Sequence, residues 1–212
     1  MAHTPIFIQN AAQVAARYGV CTHGNLPHWH IDRAVQFVTF RLADSLPQSQ
    51  LTIYKSAKET FLHDHPLPWN ETDEQTFYEE VGGKVEKWLE AGYGSCCLRN
   101  IEVRRLVEEC LAYFDGIRYV LYAYVIMPNH VHVLFEVLEG RNVKDIVHTW
   151  KSYTAHKING QLGTRRNVWQ RESFDRIVRS EKHFHSTLEY IRENPQHLAE
   201  SEYTYYERKE NR

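Results

Sequence analysis

The 212-residue sequence lacks the long apolar segments and leader patterns that mark membrane and exported proteins. No apolar run reaches the ~18 residues that a membrane-spanning helix needs, and the opening MAHTPIFIQN lacks the charged-then-apolar plan of a secretory signal. Neither membrane insertion nor export is indicated, so a cytoplasmic location is expected. At this length the chain can bury one substantial core, and we expect a single domain over residues 1–212.

The sequence also lacks two common cysteine and glycine motifs. Its four cysteines show no C-x-x-C spacing, and the neighbours Cys96 and Cys97 cannot easily bridge each other in ordinary backbone geometry. We therefore expect reduced thiols. No G-x-x-x-x-G-K-[ST] loop is present, so the sequence gives no sign of a bound nucleoside triphosphate.

An overall excess of positive charge is missing as well, because the net charge is −2. The charges are nevertheless unevenly distributed along the chain. Residues 50–95 are acidic, whereas residues 141–192 carry 11 Lys and Arg against 5 Asp and Glu. A basic C-terminal half is a plausible footprint for phosphate, and the alternative is a solvated surface with scattered charges.

The hydrophobic periodicity predicts the order of strands and helices. Residues 1–30 are expected to form an irregular arm, and residues 51–95 a helical insert interrupted by HDHPLPWN and Gly82–Gly83. Around the insert we predict strands and helices in the order β, insert, α, β, β, α, β, α, which is the ferredoxin-like split-βαβ arrangement of an α+β fold with an antiparallel sheet. The segments assigned are a strand over 34–44, a helix over 100–116, two strands joined by Pro128–Asn129, a helix over 143–159, a strand over 168–178 and a helix over 181–194.

Four H-x-H pairs are the first candidates for a metal site. Side chains two residues apart leave the same face of a strand but point about 200° apart on a helix. This excludes His183 and His185, which fall in the last predicted helix. The pair at 63 and 65 is most simply a solvated turn in the insert, and the pair His28 and His30 could either contact a nucleotide or pack the arm.

His130 and His132 have the most favourable setting. They begin a predicted strand whose alternation places Val131, Val133 and Phe135 on the opposite face. Two imidazoles on one strand face can share a divalent ion, although a lone H-x-H is a weak signal until a third ligand is found.

The last predicted helix offers a further ligand and a nucleophile. Tyr190 and Asn194 lie four residues apart and so share one helical face, and Asn194 directly precedes Pro195. A divalent ion held by His130, His132 and Asn194 could polarise a phosphate for attack by Tyr190. A packed tyrosine and a helix-terminal asparagine remain the alternative on spacing alone.

Three segments together resemble one family. GNLPHWH…VQFVTFRLADSLP, YVIMPNHVHVLFEV and SFDRIVRSEKHFHSTLEYIRENP, in this order, are similar to the REP-associated tyrosine transposases of the HUH superfamily. The similarity covers roughly residues 22–48 and 98–200, while the acidic insert departs from the shortest members. It implies a metal pair at His130 and His132, a nucleophile at Tyr190 and an amide ligand at Asn194.

The resemblance also implies the reaction and its partners. Tyr190 would form a 5′-phosphotyrosine on single-stranded or hairpin DNA, with Mg²⁺ or Mn²⁺ as cofactor and active sites built within one chain or between two in a homodimer. The residues that loosely resemble DNA-contacting positions are Lys151, Arg176, Arg179, His28 and His30. Two alternatives remain: a hairpin-DNA-binding regulator without cleavage activity, and an unrelated metal-dependent phosphodiesterase.

Overall fold

The computed structural model describes Pro5 and Phe7, the backbone of residues 20–23 and 26–29, and residues 33–66 and 69–209, with the side chain of Glu71 excepted. The strands in this part are β1 (Val20–His23), β2 (Leu26–Trp29), β3 (Val35–Arg41), β4 (Tyr119–Ile126), β5 (His130–Val137), β6 (Phe174–Val178) and β7 (Thr204–Glu207). The α-helices are α1 (Gln48–Asp64), α2 (Glu71–Phe77), α3 (Gly83–Glu90), α4 (Ile101–Tyr113), α5 (Val143–Leu162) and α6 (Glu181–Glu193).

The main sheet has five strands in the order β6-β3-β5-β4-β7, and every neighbouring pair is antiparallel. Its first four strands, with α4 after β3 and the insert and α5 after β5, form the split-βαβ unit, which confirms the predicted α+β fold. Strand β7 was not predicted, because its four residues, TYYE, give too short a pattern. The expectation of an irregular arm is wrong for residues 20–23 and 26–29, because the equally short strands β1 and β2 form an antiparallel pair there. Strand β6 begins at Phe174 instead of 168, since the preceding loop bridges back to β3 through Trp169 and Leu42.

The helices that cover the sheet begin at polar caps. The side chain of Asn100 caps α4, that of Asn142 caps α5 and that of Ser180 caps α6, each by accepting a backbone N–H of the first turn. Helix α5 ends at Gly163, which adopts a left-handed conformation with φ of 63°. These local signals set the lengths of the helices that position the site.

Both faces of the sheet are buried. Side chains of Val131, Val133 and Phe135 pack with α4 and α5, whereas Leu134 on the opposite face packs with α6. The alternation predicted for β5 is therefore confirmed. The second face is core as well, so the imidazoles of His130 and His132 lie beneath α6 and are buried.

The expected helical insert is present and spans residues 48–95. Helices α1 and α2 are followed by a π-helical turn, Tyr78–Gly82, and by α3. Phe61, Trp69, Phe77 and Val81 form an apolar cluster separate from the two clusters of the sheet. The insert therefore has a small core of its own.

The two ends of the insert meet beside the end of β3. The backbone N–H of Ser95 donates to the Asp44 carboxylate over 2.9 Å. Gly94 has a φ of +89°, and a Cβ atom there would lie 2.4 Å from the carbonyl oxygen of Asp44. Only glycine fits this close approach, which returns the chain to the sheet.

Within the described residues, no helix is both long and apolar enough to cross a membrane. Cys96, Cys97 and Cys110 are free thiols. The side chain of Cys21 lies outside the described residues.

We expect the Phe135→Ala variant to lose about 3–5 kcal/mol in free energy of unfolding, because it removes a fully buried ring from the first core cluster. Urea denaturation followed by circular dichroism measures the change. Ile53→Ala is the control, since this side chain is 52% exposed, and it should shift the free energy by at most about 0.5 kcal/mol. Equal losses in the two variants would contradict the assignment of the core.

Candidate active site

The two histidines of strand β5 form the floor of the candidate site. His130 and His132 leave the same face of the strand, and their ring centroids lie 4.7 Å apart. Both side chains are fully buried between the sheet and helix α6. A shared ion would therefore be shielded from bulk water.

Neighbouring side chains fix the orientation of each imidazole. Nδ1 of His130 is 2.8 Å from Oδ1 of Asn129, and Nδ1 of His132 is 2.8 Å from Oγ1 of Thr39, which lies opposite it on β3. The amide oxygen of Asn129 can only accept, so Nδ1 of His130 carries the proton. Hydrogen bonds of this kind leave Nε2 available as a metal ligand.

The third predicted ligand lies at the end of α6. Asn194 is the C-terminal cap of this helix, and its backbone N–H donates to the carbonyl oxygen of Tyr190 over 3.0 Å. Among the described residues, Oδ1 of Asn194 and Nε2 of both histidines are buried without a hydrogen-bond partner. Buried polar atoms are rarely left unpaired, so each of these three atoms is a candidate to bind a ligand such as a metal ion.

The structure adds a residue that the sequence analysis missed. Glu86 of helix α3 offers a carboxylate oxygen that lies with the ligand nitrogens of His130 and His132 in a group whose atoms are all within 4.8 Å of one another. Its Oε2 is 3.6 Å from Nε2 of His132, which is too far for a good hydrogen bond. Helical spacing could have indicated that Glu86 faces the protein interior. It lies on the same helical face as Gly82 and Leu89, both of which are buried.

Tyr190 connects helix α6 to this cluster. Its hydroxyl donates to Oε2 of Glu86 over 2.8 Å, and its ring meets the edges of Phe37 and His132 with centroid distances of 5.8 and 5.4 Å. Burial and the negative charge of Glu86 raise the pKa of the Tyr190 phenol far above its usual value. In this state the tyrosine is therefore protonated and held by the insert.

Burial also keeps the imidazoles neutral. Burial, with a smaller effect of His197, lowers the pKa of His130 to about 3, and burial holds the pKa of His132 well below its usual value. Neutral imidazole is the form that binds metal. Burial raises the pKa of Glu86 to about 7, so a nearby cation would favour its charged form.

The predicted DNA-contacting residues fall into two groups. The Nζ of Lys151 donates to the carbonyl oxygen of Arg171 and to Oγ of Ser173, at 2.8 and 3.0 Å. Arg176 and Arg179 instead contact the insert: Arg179 pairs with Glu74 at 2.7 Å, and Arg176 stacks on the ring of Tyr78. The side chain of His28 and all of His30 lie outside the described residues.

The two other histidine pairs in the described part of the chain, at positions 63 and 65 and at positions 183 and 185, do not form a shared site. His183 and His185 lie in α6, as predicted. The expected solvated turn at His63 and His65 is wrong, because helix α1 continues through Asp64. His63 is exposed, whereas His65 stacks on Phe61 and contacts Asp73 at 2.9 Å, so the two side chains have different partners.

Comparisons with known proteins found a family model and solved structures that are similar to this chain. Residues 97–194, just under half of the chain, match the family model described as "Transposase IS200 like". One of the solved structures is a REP-associated tyrosine transposase bound to a REP hairpin, which is 15% identical to this chain. The alignment covers 82% of this chain and 74% of that protein, with a TM-score of 0.42. A protein assigned as a transposase from Deinococcus radiodurans R1 is 14% identical, with coverage of 82% and 98% and a TM-score of 0.34. The comparison with curated proteins found no match.

We expect Mn²⁺ to raise the melting temperature of the wild-type protein but not that of His132→Ala. An ion present at about 100 times its dissociation constant stabilises a folded protein by about 2.7 kcal/mol, and the variant lacks one of the unpaired ligand nitrogens. Each protein is compared with its own metal-free form, because removing a buried ring also lowers stability. His63→Ala, at an exposed position, should keep the wild-type response. An undiminished response of His132→Ala would contradict the metal assignment.

Proposed function

We propose that this protein is a metal-dependent DNA strand transferase that uses Tyr190 as its nucleophile. The match of residues 97–194 to the model of IS200-like transposases supports this proposal. The family supports a DNA-processing enzyme in general. The observation that carries the finer proposal is the contact of the Tyr190 ring with the imidazole of His132, which in turn neighbours His130. The Nε2 atoms of both imidazoles have no hydrogen-bond partner among the described residues. A nucleophile and an incomplete ligand set lie side by side.

The residues that would hold the divalent ion, Mg²⁺ or Mn²⁺, are His130, His132 and Asn194, with the carboxylate of Glu86 beside the imidazoles. Nitrogen, amide and carboxylate ligands together suit a small divalent cation. When bound, such an ion would polarise the scissile phosphate and stabilise the charge that develops on it. Asn129 and Thr39 would keep the imidazoles oriented throughout.

The proposed step is a transesterification in which atoms and charges balance. The Tyr190 oxygen forms a bond to phosphorus while the bond from phosphorus to the 3′ oxygen of the preceding nucleotide breaks. The carboxylate of Glu86, which already accepts the phenol hydrogen bond, takes the proton and then passes it to the departing 3′ oxygen. The products are a 5′-phosphotyrosine and a free 3′-OH that can later reverse the reaction, so no external energy source is needed.

The proposed substrate is single-stranded or hairpin DNA, as the sequence resemblance to REP-associated transposases implies. A groove of about 770 Å³ runs between α5 and the loop before β6. Its lining includes five basic side chains: Lys144, His148, Lys151, Arg166 and Arg171. These basic side chains outnumber the acidic ones of the lining, Glu172 and Asp175, so the groove is suited to a DNA backbone.

We expect Tyr190→Phe to retain folding and DNA binding but to form no covalent protein–DNA product, since it removes only the attacking hydroxyl. The measurement is a denaturing gel of the protein with a labelled hairpin oligonucleotide and Mn²⁺. The rate should fall below detection, because the variant lacks the hydroxyl that donates to the Glu86 carboxylate.

Tyr153→Phe is the matched control. Tyr153 is 48% exposed on α5, and Nζ of Lys157 lies 5.5 Å from the centroid of its ring, so it has a cationic setting without the histidine pair. This variant should form the adduct at the wild-type rate.

Peptide mapping of the trapped product identifies the linked residue, and DNA attached to any tyrosine other than Tyr190 would refute the mechanism. DNA binding without any adduct would favour the regulator, and hydrolysis without a protein-linked product would favour the phosphodiesterase.

We expect DNA affinity to fall steeply as salt increases, because each neutralised phosphate of a single strand contributes about 0.7 to the slope of log K against log salt. Replacing Lys144 and Arg171 in the groove with glutamine should weaken binding and reduce this slope by roughly 1–2. Fluorescence anisotropy over a salt series measures both quantities. An unchanged slope in the double variant would place the DNA elsewhere.

A further inference from the structure

Arg176 and Arg179, at the edge of the sheet, have hydrogen-bond partners among the described residues for only some of their guanidinium nitrogens. Nη1 of Arg179 pairs with Oε2 of Glu74 at 2.7 Å, and Arg176 stacks on Tyr78 and donates to Gln75. In the described part of the chain, Nη2 of Arg179, Nε of Arg176 and Oε1 of Glu74 are buried without a hydrogen-bond partner. A buried network of this kind is costly unless a better partner is available in another state.

The positive charge of this edge acts on a side chain of helix α6. Burial and the charges of Arg176 and Arg179 lower the pKa of His183 to about 4. The acidic groups that face the arginines, Glu74 and Glu79, both come from the insert. The arginine pair is therefore a cationic surface covered by an acidic segment of the same chain.

The insert could leave the arginine pair without losing most of its own packing. The insert keeps its own apolar cluster, and Phe174 at the start of β6 is the partly buried residue of the sheet that packs against that cluster. The remaining contacts to the arginine pair are the ion pair, the stacking on Tyr78 and the hydrogen bond to Gln75. Separating them would leave most of the insert's core intact.

We propose that Arg176 and Arg179 form a binding surface for DNA backbone phosphate, and that the acidic helix α2 of the insert occupies this surface until DNA displaces it. The proposal rests on the proposed function and deepens it. A phosphate presents more acceptor oxygens than the single carboxylate oxygen now bound by Arg179, and it can engage the guanidinium in bidentate fashion. It would supply the partners that the buried guanidinium nitrogens lack.

The same displacement would act on the nucleophile. Helix α2 runs through the turn Tyr78–Gly82 into α3, which carries Glu86. Tyr78 stacks on Arg176 and Glu86 holds the hydroxyl of Tyr190, so one continuous segment contacts both the phosphate surface and the attacking group. DNA that moves α2 would thereby loosen the contact that holds Tyr190.

Glu74→Gln tests the proposal by removing the competing charge while keeping the size of the side chain. Binding of a fluorescent hairpin oligonucleotide without added metal should tighten by about fivefold or more, because the insert and the DNA are coupled through one surface. Glu59→Gln is the control, since it removes the same charge from an exposed position of α1 that has no ion pair within the described residues. It should bind as the wild type does.

Hydrogen exchange on the wild-type protein provides a second measurement. Amides of residues 71–90 should exchange faster when the oligonucleotide is bound. Adding Arg179→Gln to Glu74→Gln, which leaves no unpaired charge at this position, should reverse the gain in affinity.

The possible results separate the two proposals. If Glu74→Gln binds DNA no better than Glu59→Gln, or if DNA protects residues 71–90, this inference is wrong while the proposed function stands. If neither the wild type nor Glu74→Gln binds the oligonucleotide, the proposed function fails and the inference fails with it. Melting curves of all variants establish that each is folded.

Discussion

The antiparallel pairing of β3 with β5 is the constraint on which the rest of the site depends. It places Thr39 opposite His132 and Arg41 opposite His130, and it lets Thr39 hold one imidazole from across the sheet. Because side chains alternate along a strand, a shift of register by one residue would turn both imidazoles toward α4 and α5, away from Tyr190. The central strands therefore determine which helix contacts the two imidazoles.

Burial on both faces of the sheet sets the protonation states of the site residues. The imidazoles are neutral because charging them beneath α6 would be unfavourable, and the phenol of Tyr190 is protonated for the same reason. Several of the buried polar atoms that lack a partner in the described part of the chain belong either to the three proposed metal ligands or to the group of Arg176, Arg179 and Glu74. Unpaired polar groups cost stability, which makes both sets of residues candidates for binding a ligand.

Local spacing explains which features the sequence could predict. The strand positions of His130 and His132 and the shared helical face of Tyr190 and Asn194 follow from periods of two and 3.6 residues, and the capped helices follow from single side chains. Glu86 could not be placed in this way, because it meets Tyr190 across 104 positions and comes from a segment with a small core of its own. The engagement of Arg176 and Arg179 with the insert was missed for a similar reason: composition reveals that two segments have opposite charge but not that they are in contact.

Opposite charge in the two halves of the chain has a physical consequence for an enzyme of the proposed kind. A phosphotyrosine link conserves the energy of the bond it replaces, so the forward and reverse steps are closely balanced and the timing of attack must be set by access to the nucleophile. A basic surface alone would attract phosphate without regard to the state of Tyr190. An acidic segment that contacts both Arg179 and Tyr190 ties the two together, because the phosphate that competes for the arginine also competes with the segment that holds the phenol. Binding energy gained at the edge of the sheet could then be used to expose the attacking oxygen at its centre.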